Sequence, residues 1–111
     1  MTLNDYQRDA ARTLVMPTTE GYPLAAAVAA MGLSGEAGEV TELLKKHLGH
    51  GHALDNERLG KELGDVLWYV SALATLHGLS LPRIAADNLD KLRRRYPEGF
   101  SESRKIGRAH V

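Results

Sequence analysis

Leu33, Ala37, Val40, Leu44 and Leu48 recur at intervals of three and four residues, and Leu59, Leu63, Val66, Val70 and Leu73 do the same. That spacing puts each set on one stripe of an α-helix. Two such stripes in succession, divided by a Gly-bearing stretch at 49–54, constrain the fold more than any other feature. Each helix must bury its stripe against another element, and a neighbouring helix is the nearest candidate. No segment shows the strict alternation of a half-buried strand.

Two more helices fit the remaining sequence. The first runs from Thr2 or Asn4 to Met16 and is stopped by Pro17. Leu3, Tyr6, Ala10 and Leu14 lie on its apolar side. The second helix spans about Pro23 to Leu48, with Gly49 and Gly51 ending it. The third starts at Asp55, a good N-cap, and ends before Gly78. The fourth begins near Ser80, tolerates Pro82 in its first turn, carries Ala85, Leu89, Leu92 and Tyr96, and stops at Pro97. The expected fold is all-α, a four-helix up-and-down bundle. A domain over residues 1–100 is expected, followed by a polar tail over 101–111.

Composition narrows the function. The chain has 111 residues and 43% apolar side chains, within the range of one folded domain. Cysteine is absent, which removes disulfides and thiolate chemistry. The longest apolar run, Leu24 to Met31, is far short of the roughly 20 residues that span a bilayer. The N-terminus lacks a basic stretch followed by an apolar run, so a cytoplasmic protein is expected. Basic and acidic side chains balance at 14 each, which argues against binding long nucleic acid through a general basic surface. The charge is uneven, however. Residues 1–81 carry six basic and ten acidic side chains, and residues 82–111 carry eight and four.

The acids are ordered. Glu36 and Glu39 are three residues apart, as are Glu62 and Asp65. Positions i and i+3 share a helix face. At about 100° per residue, each apolar stripe centres about +80° from the first acid, and each second acid falls about 60° to the other side. Both pairs therefore occupy the same shoulder of a buried face. Packing the stripes together brings four carboxylates to one edge of the core. Such a cluster is costly without a cation, and oxygen-only ligands suit hard divalent ions such as Mg2+, with Mn2+ as a substitute. Neither pair has a histidine at its i+3 position, which makes a carboxylate-bridged di-iron centre a poorer fit.

On the fourth helix, Asn88, Lys91 and Arg95 fall within about 60° of one another, a set suited to phosphate oxygens. Arg58 lies one turn before Glu62, where it can support a carboxylate or reach a phosphate. Gly32 and Gly35 inside the second helix each cost about 1 kcal/mol relative to alanine. They imply a close approach by another group or a break in the helix. Trp68 lies off the main stripe; core or interface packing is the expected role, with contact to a partner chain or a base as the alternative.

The segments Gly-Leu-Ser-Gly-Glu-Ala-Gly-Glu-Val (32–40), Glu-Leu-Gly-Asp-Val-Leu-Trp-Tyr (62–69) and Asn-Leu-Asp-Lys-Leu-Arg-Arg-Arg-Tyr-Pro (88–97) resemble the MazG-like, all-α nucleoside triphosphate pyrophosphohydrolases. The resemblance covers about residues 25–100. It implies Mg2+-dependent cleavage between the α- and β-phosphates of a nucleoside triphosphate, giving a monophosphate and pyrophosphate. By motif, Glu36, Glu39, Glu62 and Asp65 would be metal ligands, with Glu36 or Glu39 as general base. Asn88, Lys91, Arg95 and Arg58 would bind phosphates. Some relatives carry a further glutamate where this chain has Gly35, so the resemblance leaves the metal count open. It also implies a homodimer or homotetramer that completes the bundle. The alternative is a non-catalytic helical oligomeric module with a structural metal site.

Overall fold

The structure, a computed structural model described over residues 1–99, contains four helices: α1 (Leu3–Ala11), α2 (Tyr22–His50), α3 (Asn56–Leu76) and α4 (Leu81–Arg95). The tail expected over 101–111 lies outside the described residues. Among the described residues there is no strand, only an isolated bridge between Pro97 and Gly99. No helix among the described residues is long and apolar enough to cross a membrane.

Local chemistry sets the helix ends. Thr2 and Asp5 form a reciprocal capping box at α1, each side chain accepting the other's backbone N–H at 3.0 Å. Asp55 caps α3 by accepting the Arg58 N–H at 3.0 Å, and Ser80 caps α4 through the Arg83 N–H at 3.3 Å. Gly51 closes α2 in the left-handed region at φ 73°, a conformation open to glycine at little cost.

The α1 helix is shorter than its apolar pattern predicts. After Ala11 the backbone tightens into i→i+3 bonds: the Arg12, Thr13 and Leu14 N–H groups donate to Asp9, Ala10 and Ala11. Thr13 Oγ1 donates back to the Ala10 carbonyl and accepts the Trp68 indole N–H at 2.8 Å. These side-chain bonds fix the chain end against α3, a constraint invisible in helical periodicity.

Helices α2 and α3 form the most extensive interface. The α1 helix lies on α3, and α4 packs chiefly on α1. Gln7 ties α1 to the α3–α4 connection. Its amide donates to Thr75 Oγ1 at 3.1 Å and the Leu79 carbonyl at 2.9 Å, and accepts the Leu81 N–H at 2.7 Å. At the opposite side, Tyr22 and His77 join the start of α2 to the end of α3, with Oη and Nε2 2.7 Å apart.

Among the described residues, the buried apolar set is small: Ala29, Ala72, Ala74 and Leu81. Leu24, Val28 and Met31 recur at i, i+4 and i+7 on α2, yet are 71%, 53% and 64% exposed. Leu63 on α3 is also exposed, as are the stripe residues Leu48 and Leu89. The periodicity therefore marks faces suited to burial that a single chain covers only in part.

Candidate metal and phosphate site

The α2–α3 interface brings one oxygen each of Glu36, Glu62 and Asp65 to within 4.8 Å of one another. The two helices hold these acids at the same shoulder of their shared seam. Glu36 and Glu62 are half-buried, and Asp65 is exposed. Glu62 Oε2 is buried and has no hydrogen-bond partner among the described residues. An acceptor so placed is unfavourable unless a proton or cation reaches it.

The electrostatics agree. The Glu36 carboxyl is held above its ordinary pKa, first because its protonated form can share a hydrogen bond with Glu62. Desolvation adds to the effect, as do the charges of Asp65, Glu62 and Glu39. A divalent cation would remove the need for that proton. Three carboxylate oxygens gathered this closely could share one divalent cation. The donor set is all carboxylate oxygen, which also fits a hard ion.

Glu39, the fourth acid, stands apart from the three. Arg58 Nη2 lies 3.9 Å from Glu39 Oε2 across the helix seam. The Arg58 side chain thus pairs with an acid of α2, although Glu62 lies four residues further along its own helix. Asp55, Glu57, Arg58, Lys61 and Glu62 line an open recess of about 410 Å³ beside the three-carboxylate cluster. Lys61 has no separate motif in the sequence. Its visible signal is its i+4 spacing from Glu57, with which it pairs at 3.6 Å.

The cations of α4 are not joined to this cluster. None of Asn88, Lys91 and Arg95 makes a hydrogen bond or ion pair with the four acids among the described residues. Lys91 and Arg95 are half-buried, while Asn88 is exposed. Arg93 pairs with Asp90 at 3.2 Å, and Lys46 approaches Glu42 at 4.0 Å.

A second, apolar recess of about 410 Å³ lies along the other end of the α2–α3 seam, lined by Leu14, Leu24, Val28, Trp68, Tyr69 and Leu76 among others. Trp68 and Tyr69 meet edge to face there, ring centres 5.0 Å apart. Trp68 therefore packs within the chain and borders an open apolar surface.

The fold is all-helical, with three carboxylates on one helix–helix seam that could together hold a cation. Residues 27–100 match the MazG nucleotide pyrophosphohydrolase domain, and the chain belongs to that family. It is also similar to the Gene 37 protein of Mycobacterium phage L5, with 40% identity over 73 residues. That alignment covers 62% of this chain and 64% of the phage protein. No solved structure matches the chain.

Proposed function

We propose that this chain is a Mg2+-dependent nucleoside triphosphate pyrophosphohydrolase, with Mn2+ as an alternative cation, acting in nucleotide pool control or housecleaning. Membership of the family supports the reaction class. The observation that carries the site is the convergence of Glu36, Glu62 and Asp65 around an unpartnered Glu62 oxygen.

Glu36, Glu39, Glu62 and Asp65 would hold the cation. When bound, it supplies positive charge to the phosphates and acidity to a bound water. The Glu36 or Glu39 carboxylate accepts the proton of the attacking water. Water oxygen joins the α-phosphorus as its bond to the bridging oxygen breaks. Lys91, Arg95 and Arg58 neutralise the departing pyrophosphate, and the Asn88 amide donates hydrogen bonds to it. The products are a nucleoside monophosphate and pyrophosphate.

The proposed assembly is a homodimer or homotetramer. The exposed Leu24, Val28 and Met31 stripe supports it, because a contiguous apolar face is stabilised when covered. Association also offers a route for the α4 cations of one copy to approach the acidic cluster of another. Incubation with Mg2+ and a panel of canonical and modified nucleoside triphosphates tests the reaction. Release of pyrophosphate supports it; release of orthophosphate, or no turnover on any nucleotide, contradicts it.

A further inference from the structure

The Arg58–Glu39 pair has properties that a merely stabilising ion pair does not need. Its two side chains come from different helices and are about half exposed, at 54% and 52%. At 3.9 Å in solvent, such a pair is weak and easily exchanged. Each member also borders another binding surface. Glu39 is one helical turn from Glu36, a member of the carboxylate cluster. Arg58 lines the polar recess together with Glu62, so the recess and the cluster share a wall.

Resting on the reading of the site given above, we propose that Arg58 is an exchangeable counter-ion: it holds Glu39 in the metal-free chain, then releases it to the divalent cation and turns to the triphosphate oxygens in the adjoining recess. The charge balance is simple. Without ligands, Arg58 neutralises one of four nearby carboxylates. The incoming cation replaces it in that role. The freed guanidinium then meets the phosphate charge that accompanies the cation, with geometry suited to paired oxygens. No bond is made or broken. The exchange makes cation and nucleotide bind more tightly together than separately, and the coupling acts equally in both directions.

Lys61 lines the same recess but is already paired with Glu57 on its own helix. It has no acid of the cluster to release. Arg58 is therefore the cation that makes this exchange.

Isothermal titration with Mn2+, in the presence and absence of a nucleoside triphosphate carrying an α,β-methylene bridge, tests the exchange. In Arg58→Gln, Mn2+ alone should bind about two- to fivefold more tightly than in the wild type, because its competitor for Glu39 is gone. The tightening caused by the nucleotide analogue should shrink. Arg58→Lys, which keeps the charge, should bind Mn2+ alone as the wild type does. In a Glu39→Gln background, Arg58→Gln should add nothing to Mn2+ affinity. Equal or weaker Mn2+ binding by Arg58→Gln, or no Mn2+ binding by the wild type, overturns the proposal. Failure of the analogue to bind the wild type contradicts the nucleotide reading instead, and the Mn2+-only arm still judges the ion pair. Far-UV circular dichroism verifies that each variant keeps its helices.

Discussion

The ring of Tyr69 occupies the space that a side chain at position 32 would need. A Cβ placed on Gly32 would fall well inside contact distance of the Tyr69 ring, whereas one on Gly35 would meet nothing within 4 Å. Two glycines three residues apart on α2 thus have different physical meanings. Gly32 permits α3 to approach α2 closely. Gly35 occupies open space next to Glu36.

Alanine at these positions should therefore have opposite effects. Gly32→Ala must push the Tyr69 ring aside and is expected to cost about 1–3 kcal/mol. Gly35→Ala gains helix propensity and is expected to stabilise the isolated chain by up to about 1 kcal/mol. Thermal unfolding of both variants checks the pair of signs. A Gly35→Ala chain that is stable but has lost turnover would indicate that nucleotide or a second copy approaches that face.

Gln7 is expected to carry more stability than its place on a short helix suggests. Its amide makes three hydrogen bonds to the α3–α4 region, two of them to backbone groups. Gln7→Ala removes all three and leaves the Leu81 N–H without that acceptor. A loss of about 2 kcal/mol is expected, read from denaturant unfolding. An unchanged midpoint would show that water replaces these bonds at no cost.

The raised pKa of Glu36 gives the metal-free chain a definite pH dependence. Folding favours the protonated carboxyl because a proton bridges it to Glu62 and the other acids repel its charge. That contribution is complete below the ordinary glutamate range and is lost as pH rises through the raised value. Metal-free stability should thus fall across the mildly acidic range, and Glu36→Gln should flatten this part of the profile. Saturating Mg2+ should suppress the fall, since the cation replaces the proton. Mg2+ affinity itself should rise with pH over the same interval, as binding releases a proton. Thermal melts at stepped pH, with and without Mg2+, provide the check.

If α4 of one copy serves the acidic cluster of another, two inactive variants should restore one another. Glu62→Gln removes a cluster acid and Lys91→Ala removes an α4 cation. Each alone should lose at least about tenfold in turnover. Mixed and allowed to exchange subunits, they should regain part of it, because some sites would contain neither change. A mixture no more active than its components would place both groups in sites built from one chain.

Much of this arrangement was legible in the sequence. The 3.6-residue stripes located all four helices. The shared offset of the two acid pairs put all four carboxylates at one edge of the core; Glu36, Glu62 and Asp65 meet there, whereas Glu39 stands apart and pairs with Arg58. Other features depend on partners distant in the chain. Periodicity runs through Leu14, but the Thr13 bond to Trp68 accompanies an α1 helix that ends at Ala11. Helical angle places Glu39 on the correct shoulder, yet cannot reveal that Arg58 reaches across the seam to it. The sequence offered close approach or a break at Gly32 and Gly35; the α2 helix is continuous, and only Gly32 is closely approached. The amphipathic pattern of α4 shows which face is apolar but not that its main neighbour is α1.

The proposed activity is metal-dependent cleavage at the α–β linkage by a site centred on Glu62. Its most direct test is phosphorus NMR of a nucleoside triphosphate substrate incubated with Mg2+ and either the wild type or Glu62→Gln. The wild type should produce nucleoside monophosphate and pyrophosphate, with turnover reduced at least about 100-fold in a folded Glu62→Gln chain. Nucleoside diphosphate and orthophosphate as products, or undiminished turnover by Glu62→Gln, would contradict it.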